Sequence, residues 1–280
     1  MPELPEVEFA RRALARWLEG RRVVRCEAPA TRVFRGARRE DFERLRGRLE
    51  RLERRGKYLL FTFEADQGLL AHLGMTGKFV RRPGGHAEPY SRARMCLDDG
   101  QVLHLRDPRL FGRLEPAPAH ALAALPAVRA LGRDPLVDGL TPTQLAAALG
   151  LSRQPLKVAL MDQRRLAGLG NIHAAEALFR AGLHPARRPA SLSPEEWRRL
   201  ARAVHQALRF ALGHETGEEI AYVEEAGAPN PFRIYGRAGE PCGRCGARVA
   251  SFTQAGRTTH FCPRCQPARR SPAGPRAALR

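Results

Sequence analysis

Several common residues are scarce in this sequence. Only three of its 48 basic residues are lysine, and its 280 residues include two asparagines and three isoleucines. Such a bias indicates a GC-rich genome. Where arginine is this abundant, a lysine that persists suggests a site that needs a compact ammonium rather than the flat fork of donors of a guanidinium. Lys57, Lys157 and Asn171 are therefore candidate functional residues, with chance survival as the alternative.

Long apolar segments are also missing. No apolar run approaches the roughly 18 residues of a membrane span, and the first residues are acidic where a secretory signal peptide would be basic and then apolar. We therefore expect a cytoplasmic protein with no membrane partner.

Positive charge, by contrast, is in excess. The 48 basic and 29 acidic residues give a net charge of +19, with an isoelectric point near 11.1. A polyanionic partner explains this excess, because neutralising phosphates releases counterions and gives affinity without sequence preference. Nucleic acid is favoured over a membrane surface, since no amphipathic helix combines a basic face with a bulky apolar one.

The hydrophobic pattern predicts an α+β multidomain protein. A helix is expected to begin near Pro5 and to stop at Gly20. Residues 22–116 carry short apolar or alternating runs typical of strands, with a hairpin at Asp99-Gly100 and a turn at Gly56-Lys57. These runs predict an N-terminal β-sandwich with flanking helices over residues 1–116.

Beyond residue 116 the pattern becomes helical. Thr141-Pro142-Thr143-Gln144 has the form of a capping box, and the glycines of Ala167-Gly168-Leu169-Gly170-Asn171 allow a tight turn before another helix. Backbone N–H groups at such a helix start can bind an anion, although an ordinary helical bundle is the alternative. We place a helical domain at 117–237, a small cysteine module at 238–266 and a disordered basic tail at 267–280.

The cysteine module has the spacing of a metal site. Cys242 and Cys245 form one C-x2-C pair, Cys262 and Cys265 form another, and 16 residues separate the pairs. Two thiolates from each of two tight turns can complete a tetrahedron around a structural zinc ion. Two disulfides, or His260 in place of one cysteine, are the alternatives. Cys26 and Cys96 lie in strand-like runs and are expected in the core.

The start of the chain holds a possible nucleophile. Removal of Met1 would expose the secondary amine of Pro2, and an α-amino group with a pKa of about 7.7–8.0 is partly uncharged near neutral pH. Such an amine can attack an electrophilic carbon and form a charged iminium, with the carboxylates of Glu3 and Glu6 close enough to transfer protons. Alternatively, Pro2 and Pro5 only mark the start of a helix.

Four features occur in a distinctive order: Pro-Glu-Leu-Pro-Glu-Val-Glu at the start, a lysine at a strand turn, Gly-Leu-Gly-Asn-Ile before a helix, and the four-cysteine hairpin. In this combination the chain resembles the bacterial formamidopyrimidine-DNA glycosylases from Pro2 to Gln266. Endonuclease VIII, a relative with the same architecture, usually has glycine where this chain has Leu4. The resemblance implies a β-sandwich, a helix-two-turn-helix domain and a zinc-finger β-hairpin.

The same resemblance implies an enzyme of base excision repair. It would excise oxidised purines, such as 8-oxoguanine and formamidopyrimidines, and then cut the strand by β,δ-elimination. Pro2 would be the nucleophile at C1′ of the damaged nucleotide, Glu3 the general acid and base, and Glu6 a support for proton transfer. Lys57 would assist catalysis from a β-hairpin.

The partner implied is double-stranded DNA that contains oxidised bases or abasic sites, bound by a monomer in the bacterial cytoplasm and nucleoid. A base inside a duplex must be everted before it can react, and side chains must fill the gap that it leaves. The resemblance assigns this to Met75, Arg109 and Phe111, although core packing is the alternative for Met75 and Phe111. Residues expected to contact the DNA backbone are His72, Lys157, Asn171 and Arg257.

One segment departs from the family pattern. The Gly/Thr-rich segment that usually closes over an everted 8-oxoguanine is replaced, within 213–233, by an acidic stretch, and Phe9 stands where threonine is typical. Two alternatives therefore stay open. The chain could be an abasic-site lyase or a glycosylase with a different lesion preference, or a non-enzymatic, zinc-dependent DNA-binding protein.

Overall fold

A computed structural model describes residues 2–29, 32–34, 36–223, 225 and 227–268. Met1, whose removal is predicted, and residues 269–280 of the predicted basic tail lie outside the described residues. Contacts divide the chain into two compact units. The first comprises 1–139, 162–170 and 208–231, and the second comprises 140–161, 171–207 and 232–280. The domain boundaries drawn from the sequence remain predictions.

The first unit contains eight strands and three short or medium helices. Its helices are α1 (Leu4–Leu18), α2 (Arg39–Glu43) and α3 (Pro126–Arg129), with a 3₁₀ turn at Ala119–Ala124. Its strands are β1 (Arg22–Glu27), β2 (Gly47–Arg55), β3 (Tyr58–Phe63), β4 (Gln67–His72), β5 (Lys78–Pro83), β6 (Ser91–Leu97), β7 (Gln101–Arg106) and β8 (Arg113–Pro118).

The eight strands pair in the order β5-β7-β6-β1-β2-β3-β4-β8, all antiparallel where they pair. If this sheet were flat, β5 and β3 would lie five strand spacings apart, or about 24 Å. The rings of Phe79 on β5 and Phe61 on β3 nevertheless lie 5.9 Å apart. The sheet therefore folds over between β1 and β2, where two residue pairs connect it. The two four-stranded halves enclose a common core, and the predicted sandwich is confirmed.

The first helix packs on this core. Val7, Leu14 and Trp17 of α1 are buried at the helical spacing that the sequence showed. A strand before the Gly56-Lys57 turn was predicted, but the extent of β2 was not, because its sequence GRLERLERR is mostly charged. The apolar run 69–80 is divided into β4 and β5 by a turn at 73–77.

The second unit is helical with a small hairpin. Its elements are α4 (Pro142–Leu149), α5 (Leu156–Met161), α6 (Asn171–Ala181), the part of α7 (Pro194–His214) up to residue 207, β9 (Ala250–Gln254) and β10 (Arg257–Phe261). The predicted capping box is present. Thr141 Oγ1 accepts from the N–H of Gln144 at 3.2 Å, and the Thr141 N–H donates to Gln144 Oε1 at 2.9 Å. Across the ranges that the structure describes, no helix is both long and apolar enough to span a membrane.

Candidate active site and DNA-contact residues

The predicted catalytic carboxylates lie at the start of α1 in the first unit. Pro2 is buried, and Glu3 and Glu6 are only 2% and 6% exposed. The N–H of Glu3 donates to a carboxylate oxygen of Glu6 at 2.8 Å. The carboxylate of Glu3 in turn accepts from the N–H of Gly170 at 2.8 Å. Glu6 thus orients the backbone that carries Pro2 and Glu3, while Gly170 orients the Glu3 carboxylate.

Two glycines make room for this arrangement. A Cβ on Gly170 would lie 2.5 Å from Cδ of Glu3 and 2.8 Å from Nζ of Lys57. Gly168 has φ +95°, and a Cβ there would lie 2.6 Å from Cβ of Leu4, whose N–H donates to the Gly168 carbonyl at 3.0 Å. The anion site predicted at this glycine turn and helix start stays a prediction. The Gly170 N–H itself donates to Glu3 of the same chain.

Lys57 reaches the same place from the tip of the β2–β3 hairpin. Gly56 adopts φ +56° in the two-residue turn, and Lys57 is 9% exposed. The carboxylate of Asp134, which is fully buried, accepts from the Gly56 N–H at 2.7 Å. It also forms a two-bond ion pair with Arg54, at 2.5 and 3.1 Å, and Arg54 donates to the Gly56 carbonyl at 2.9 Å. An interior ion pair therefore fixes the turn that presents the lysine.

His72 on β4 lies opposite Tyr58, the first residue after the Gly56-Lys57 turn, in the pairing of β3 with β4. Its ring lies 4.9 Å from the ring of Tyr58, and its Nδ1 accepts from the N–H of Gly74 at 3.0 Å. Burial, together with the positive charges of Lys57 and Arg113, lowers the pKa of His72 to about 4. His72 is therefore a neutral imidazole at physiological pH, with its proton on Nε2 as a hydrogen-bond donor.

The three predicted gap-filling residues lie on two neighbouring connections. Met75 is half-buried in the 73–77 turn. Arg109 is exposed and Phe111 is 42% exposed in the 107–112 loop, and the guanidinium of Arg109 lies 4.9 Å from the centre of the Phe111 ring. Exposure to this degree rules out the core-packing alternative for Phe111. Both side chains are free to approach a ligand.

In the second unit, two of the residues predicted to contact phosphates, Lys157 and Asn171, bond to each other. The ammonium of Lys157 is 1% exposed and donates to Asn171 Oδ1 at 2.5 Å and to Thr259 Oγ1 at 2.8 Å. Because Oδ1 of Asn171 accepts this bond, the amide NH₂ faces the other way and can donate to a phosphate. Lys157 itself would have to leave these partners to reach one. Arg257 is exposed at the start of β10.

The four cysteines form a metal site. Their Sγ atoms all lie within 4.8 Å of one another, with Cys242–Cys265 at 4.0 Å and Cys245–Cys262 at 3.5 Å. A tetrahedron of thiolates around Zn²⁺ with bonds of about 2.3 Å has edges of about 3.8 Å. The arrangement fits one structural zinc ion held by cysteine alone, as predicted. Burial raises the pKa of Cys26 to about 12, consistent with its predicted place in the core.

Family models match most of the chain. Residues 1–114 match the formamidopyrimidine-DNA glycosylase N-terminal domain, 131–221 its H2TH domain, and 239–268 a zinc finger found in FPG and IleRS. The formamidopyrimidine-DNA glycosylase of Thermus thermophilus is 42% identical over 272 residues, which cover 95% of this chain and 98% of that one.

Two similar solved structures contain DNA. One is a complex of Lactococcus lactis Fpg with DNA containing an abasic site, with a TM-score of 0.84, 30% identity and coverage of 95% of this chain and 100% of that one. The other is MutM with DNA containing carbocyclic 8-oxo-G, with a TM-score of 0.85 and the same identity and coverage. This chain belongs to the formamidopyrimidine-DNA glycosylase family, as its sequence motifs predicted.

Two residues of the site were missed by sequence reasoning in the roles they have here: Gly170 and Asp134. A signal was present for the aspartate. It precedes a proline at the start of a turn, where an aspartate side chain commonly accepts hydrogen bonds from the next backbone N–H groups.

Proposed function

We infer that the chain is a bifunctional DNA glycosylase and abasic-site lyase that acts on DNA containing oxidised purines. The observation that carries this inference is the meeting of the Glu3 carboxylate, the Gly170 N–H and the Lys57 ammonium beside Pro2. A nucleophile, an oriented acid and a cation near the developing negative charges are what this reaction requires. The family membership and the net charge of +19 support the same substrate.

In the proposed reaction the nitrogen of Pro2 bonds to C1′ of the damaged nucleotide. The N–H proton of Pro2 passes to the base as the bond from C1′ to the base breaks, and the sugar ring opens to an iminium as O4′ takes a proton from Glu3 acting as an acid. The Glu3 carboxylate then takes a C2′ proton as the 3′ phosphate leaves, and loss of a C4′ proton to solvent expels the 5′ phosphate. Hydrolysis of the iminium frees Pro2.

The other residues act on binding. Met75, Arg109 and Phe111 would fill the gap left by the everted base, and Arg257 and the amide of Asn171 would hold phosphates. His72 would donate its Nε2 proton. The four cysteines would hold the zinc ion in a structural role, in which it would fix the hairpin that carries Arg257. We expect a monomer that works in the bacterial cytoplasm, where its DNA substrate lies.

Borohydride reduction tests the iminium directly. With duplex containing 8-oxoguanine or an abasic site, the protein should become covalently fused to the DNA, and Pro2→Gly should remove this product. Pro5→Ala is the matched control, because Pro5 shares the helix start but carries no predicted chemistry, and it should be trapped like the parent. If no oxidised or abasic duplex gives a trapped species, the non-enzymatic DNA-binding alternative is favoured.

One structural observation favours the alternative of a changed lesion preference. The acidic segment within 213–233 is docked on the first unit: Ile220 and Tyr222 are buried in the sandwich core, and the Tyr222 hydroxyl donates to the Gly77 carbonyl at 2.6 Å. Lys78 donates to the Ile220 carbonyl at 3.2 Å and to Glu225 at 3.0 Å. Arg82 on the same strand pairs with Glu219.

These contacts reduce the freedom of the acidic segment to rearrange around a particular base. Excision rates on duplexes with 8-oxoguanine, formamidopyrimidine and oxidised pyrimidines should therefore rank differently in Lys78→Met than in the parent. Arg81→Met, on the same strand but paired with Asp99 rather than with the segment, should keep the parental ranking. Identical rankings in both variants would reject a role for this docking.

A further inference from the structure

The predicted gap-filling residues all lie where the chain passes between the two halves of the sandwich. The 73–77 turn leads from β4 in one half to β5 in the other, and the 107–112 loop leads from β7 back to β8. Their relative position therefore depends on whatever joins these two connections.

Asp107 joins them. Its side chain is fully buried, and one carboxylate oxygen accepts from Thr76 Oγ1 at 2.9 Å and from the N–H of Arg109 at 3.3 Å. The other oxygen accepts from the N–H of Gly112 at 2.7 Å. One carboxylate thus bonds to the residue after Met75, to Arg109 itself and to the residue after Phe111.

The two connections also pack closely against each other. Gly74 has φ +67°, and a Cβ there would lie 2.5 Å from the backbone nitrogen of Gly112. Leu110, between the two exposed side chains, has φ +56° although it is not glycine. For a leucine this left-handed conformation is unfavourable, so it persists only because the surrounding contacts impose it.

The bonding pattern requires a carboxylate. Each oxygen faces donors, and asparagine offers only one oxygen. In an Asp107→Asn variant the NH₂ group would face either the Gly112 N–H or the Thr76 and Arg109 donors. In either orientation one N–H of the 107–112 loop, that of Gly112 or that of Arg109, loses its acceptor.

We propose that Asp107 is the positioning residue for base eversion: by binding both connections it fixes Met75, Arg109 and Phe111 as one rigid group that enters the DNA when the damaged base leaves. Asp107 touches neither the DNA nor the reacting sugar. The proposal rests on the proposed glycosylase function and extends it, because it separates the eversion step from the chemistry at Pro2.

This separation can be measured with two substrates. A paired 8-oxoguanine must be everted before it reacts, whereas an abasic site in single-stranded DNA has no base to evert and no gap to fill. Asp107→Asn should lower excision of paired 8-oxoguanine by on the order of 10- to 100-fold. Cleavage and borohydride trapping of the single-stranded abasic site should stay within about twofold of the parent, which loss of folded protein alone could not produce.

Two companion variants complete the experiment. Asp99→Asn is the matched control: Asp99 lies at the other end of β7 and also accepts a backbone N–H two residues on, from Gln101 at 3.0 Å, so excision should be unchanged. Thr76→Val removes one of the three bonds to Asp107 and should give a smaller loss of excision with intact lyase activity. It keeps the question answerable if Asp107→Asn folds poorly.

Unchanged excision in both Asp107→Asn and Thr76→Val would overturn the proposal. An equal loss on both substrates in Thr76→Val would overturn it too, because the effect would then be general. If the parent protein itself failed to cleave or be trapped by the abasic strand, the proposed function would fall, and this inference with it.

Discussion

Two loops of the first unit share a sequence pattern, Asp-Pro followed by three residues and a glycine, at 107–112 and at 134–139. Both aspartates are fully buried, and both accept N–H bonds from their own loops. They differ in their other partners. Asp134 binds the guanidinium of Arg54, whereas Asp107 binds the neutral hydroxyl of Thr76.

That difference assigns the loops to different tasks. Through Arg54 and the Gly56 N–H, Asp134 fixes the turn that brings Lys57 to Glu3. Through Thr76, Asp107 fixes the exposed group that we expect to enter the DNA. In our proposal the same local motif therefore supports catalysis in one place and base eversion in the other, and the difference lies in the residue from elsewhere in the chain that binds the carboxylate.

The largest loss of stability should come from a substitution in the 134–139 loop, whose Asp134 binds a charged partner. Asp134→Asn removes the two-bond ion pair of the interior Arg54 guanidinium and leaves the carboxylate of Glu8, 3.2 Å away, as its remaining anionic partner among the described residues. Removing one partner of a buried ion pair typically costs about 3–5 kcal/mol. Asp107→Asn should cost less, about 1–3 kcal/mol, because the donors that lose an acceptor are neutral. Urea unfolding measures both, with the exposed Asp41→Asn as a control expected to change little. Equal losses in the two loops would contradict the comparison.

A change that touches neither loop can sharpen it. Gly170→Ala places a methyl group against the Glu3 carboxylate and the Lys57 ammonium, so both must move. A displacement near 1 Å commonly costs about 100-fold in rate. Both excision and lyase activity should fall together, unlike the split expected for Asp107→Asn. Gly213→Ala, with no atoms near its added methyl group, is the control. Retained lyase activity in Gly170→Ala would argue against Glu3 as the acid.

A smaller effect should appear with pH, through His72 beside the lysine turn. Its pKa is about 4 when folded and near 6.5 in the unfolded chain. The unfolded chain therefore binds the proton first on acidification, and stability from this residue falls as pH decreases from about 6.5 to 4, by at most about 1.4 kcal/mol per pH unit. His72→Gln should flatten that part of the profile in urea unfolding. A profile that keeps its slope would mean that His72 titrates normally.

The smallest loss of stability is expected for Asp138 in the 134–139 loop. Asp138 accepts from the Asp134 N–H at 2.8 Å and pairs with Arg55, but it is partly exposed. Asp138→Asn should cost about 0.5–1 kcal/mol by thermal unfolding, since solvent screens such pairs. A loss as large as that of Asp134→Asn would show that the carboxylates act as one unit, and additivity in the double variant would show that they do not.

Much of the fold could be predicted because local patterns decided it. The apolar run 58–63 coincides with β3, and the Thr141 capping box begins α4 as predicted. The extent of strand β2 could not be predicted in this way. Its residue Arg54 is interior because Asp134, 80 residues away, and Glu8, 46 residues away, pair with it, and no periodicity in the charged sequence reports those partners.

The same distinction between local and long-range contacts applies to the candidate site. Pro2, Glu3 and Lys57 were named from residue type and rarity, and the cysteines from their spacing. The bond between Glu3 and Gly170 joins residues 167 positions apart, so the sequence predicted only a turn at this glycine and not its contact with the predicted catalytic acid. Lys157 was predicted to be functional because lysine is rare in this chain. Its burial and its bonds to Asn171 and Thr259 could not be predicted from the sequence.

The crease between β1 and β2 is spanned by only two residue pairs, Arg22 with Arg48 and Val23 with Gly47. Main-chain pairing therefore does little to hold the sandwich shut, and closure depends on the rings and aliphatic groups between its halves. An interior cavity made far from any catalytic atom, for example by shortening Phe61, would let the halves shift against each other. Both Asp-Pro loops are connected to strands of this sandwich. Such a distant packing defect would therefore lower the repair activity although every reactive residue is still present.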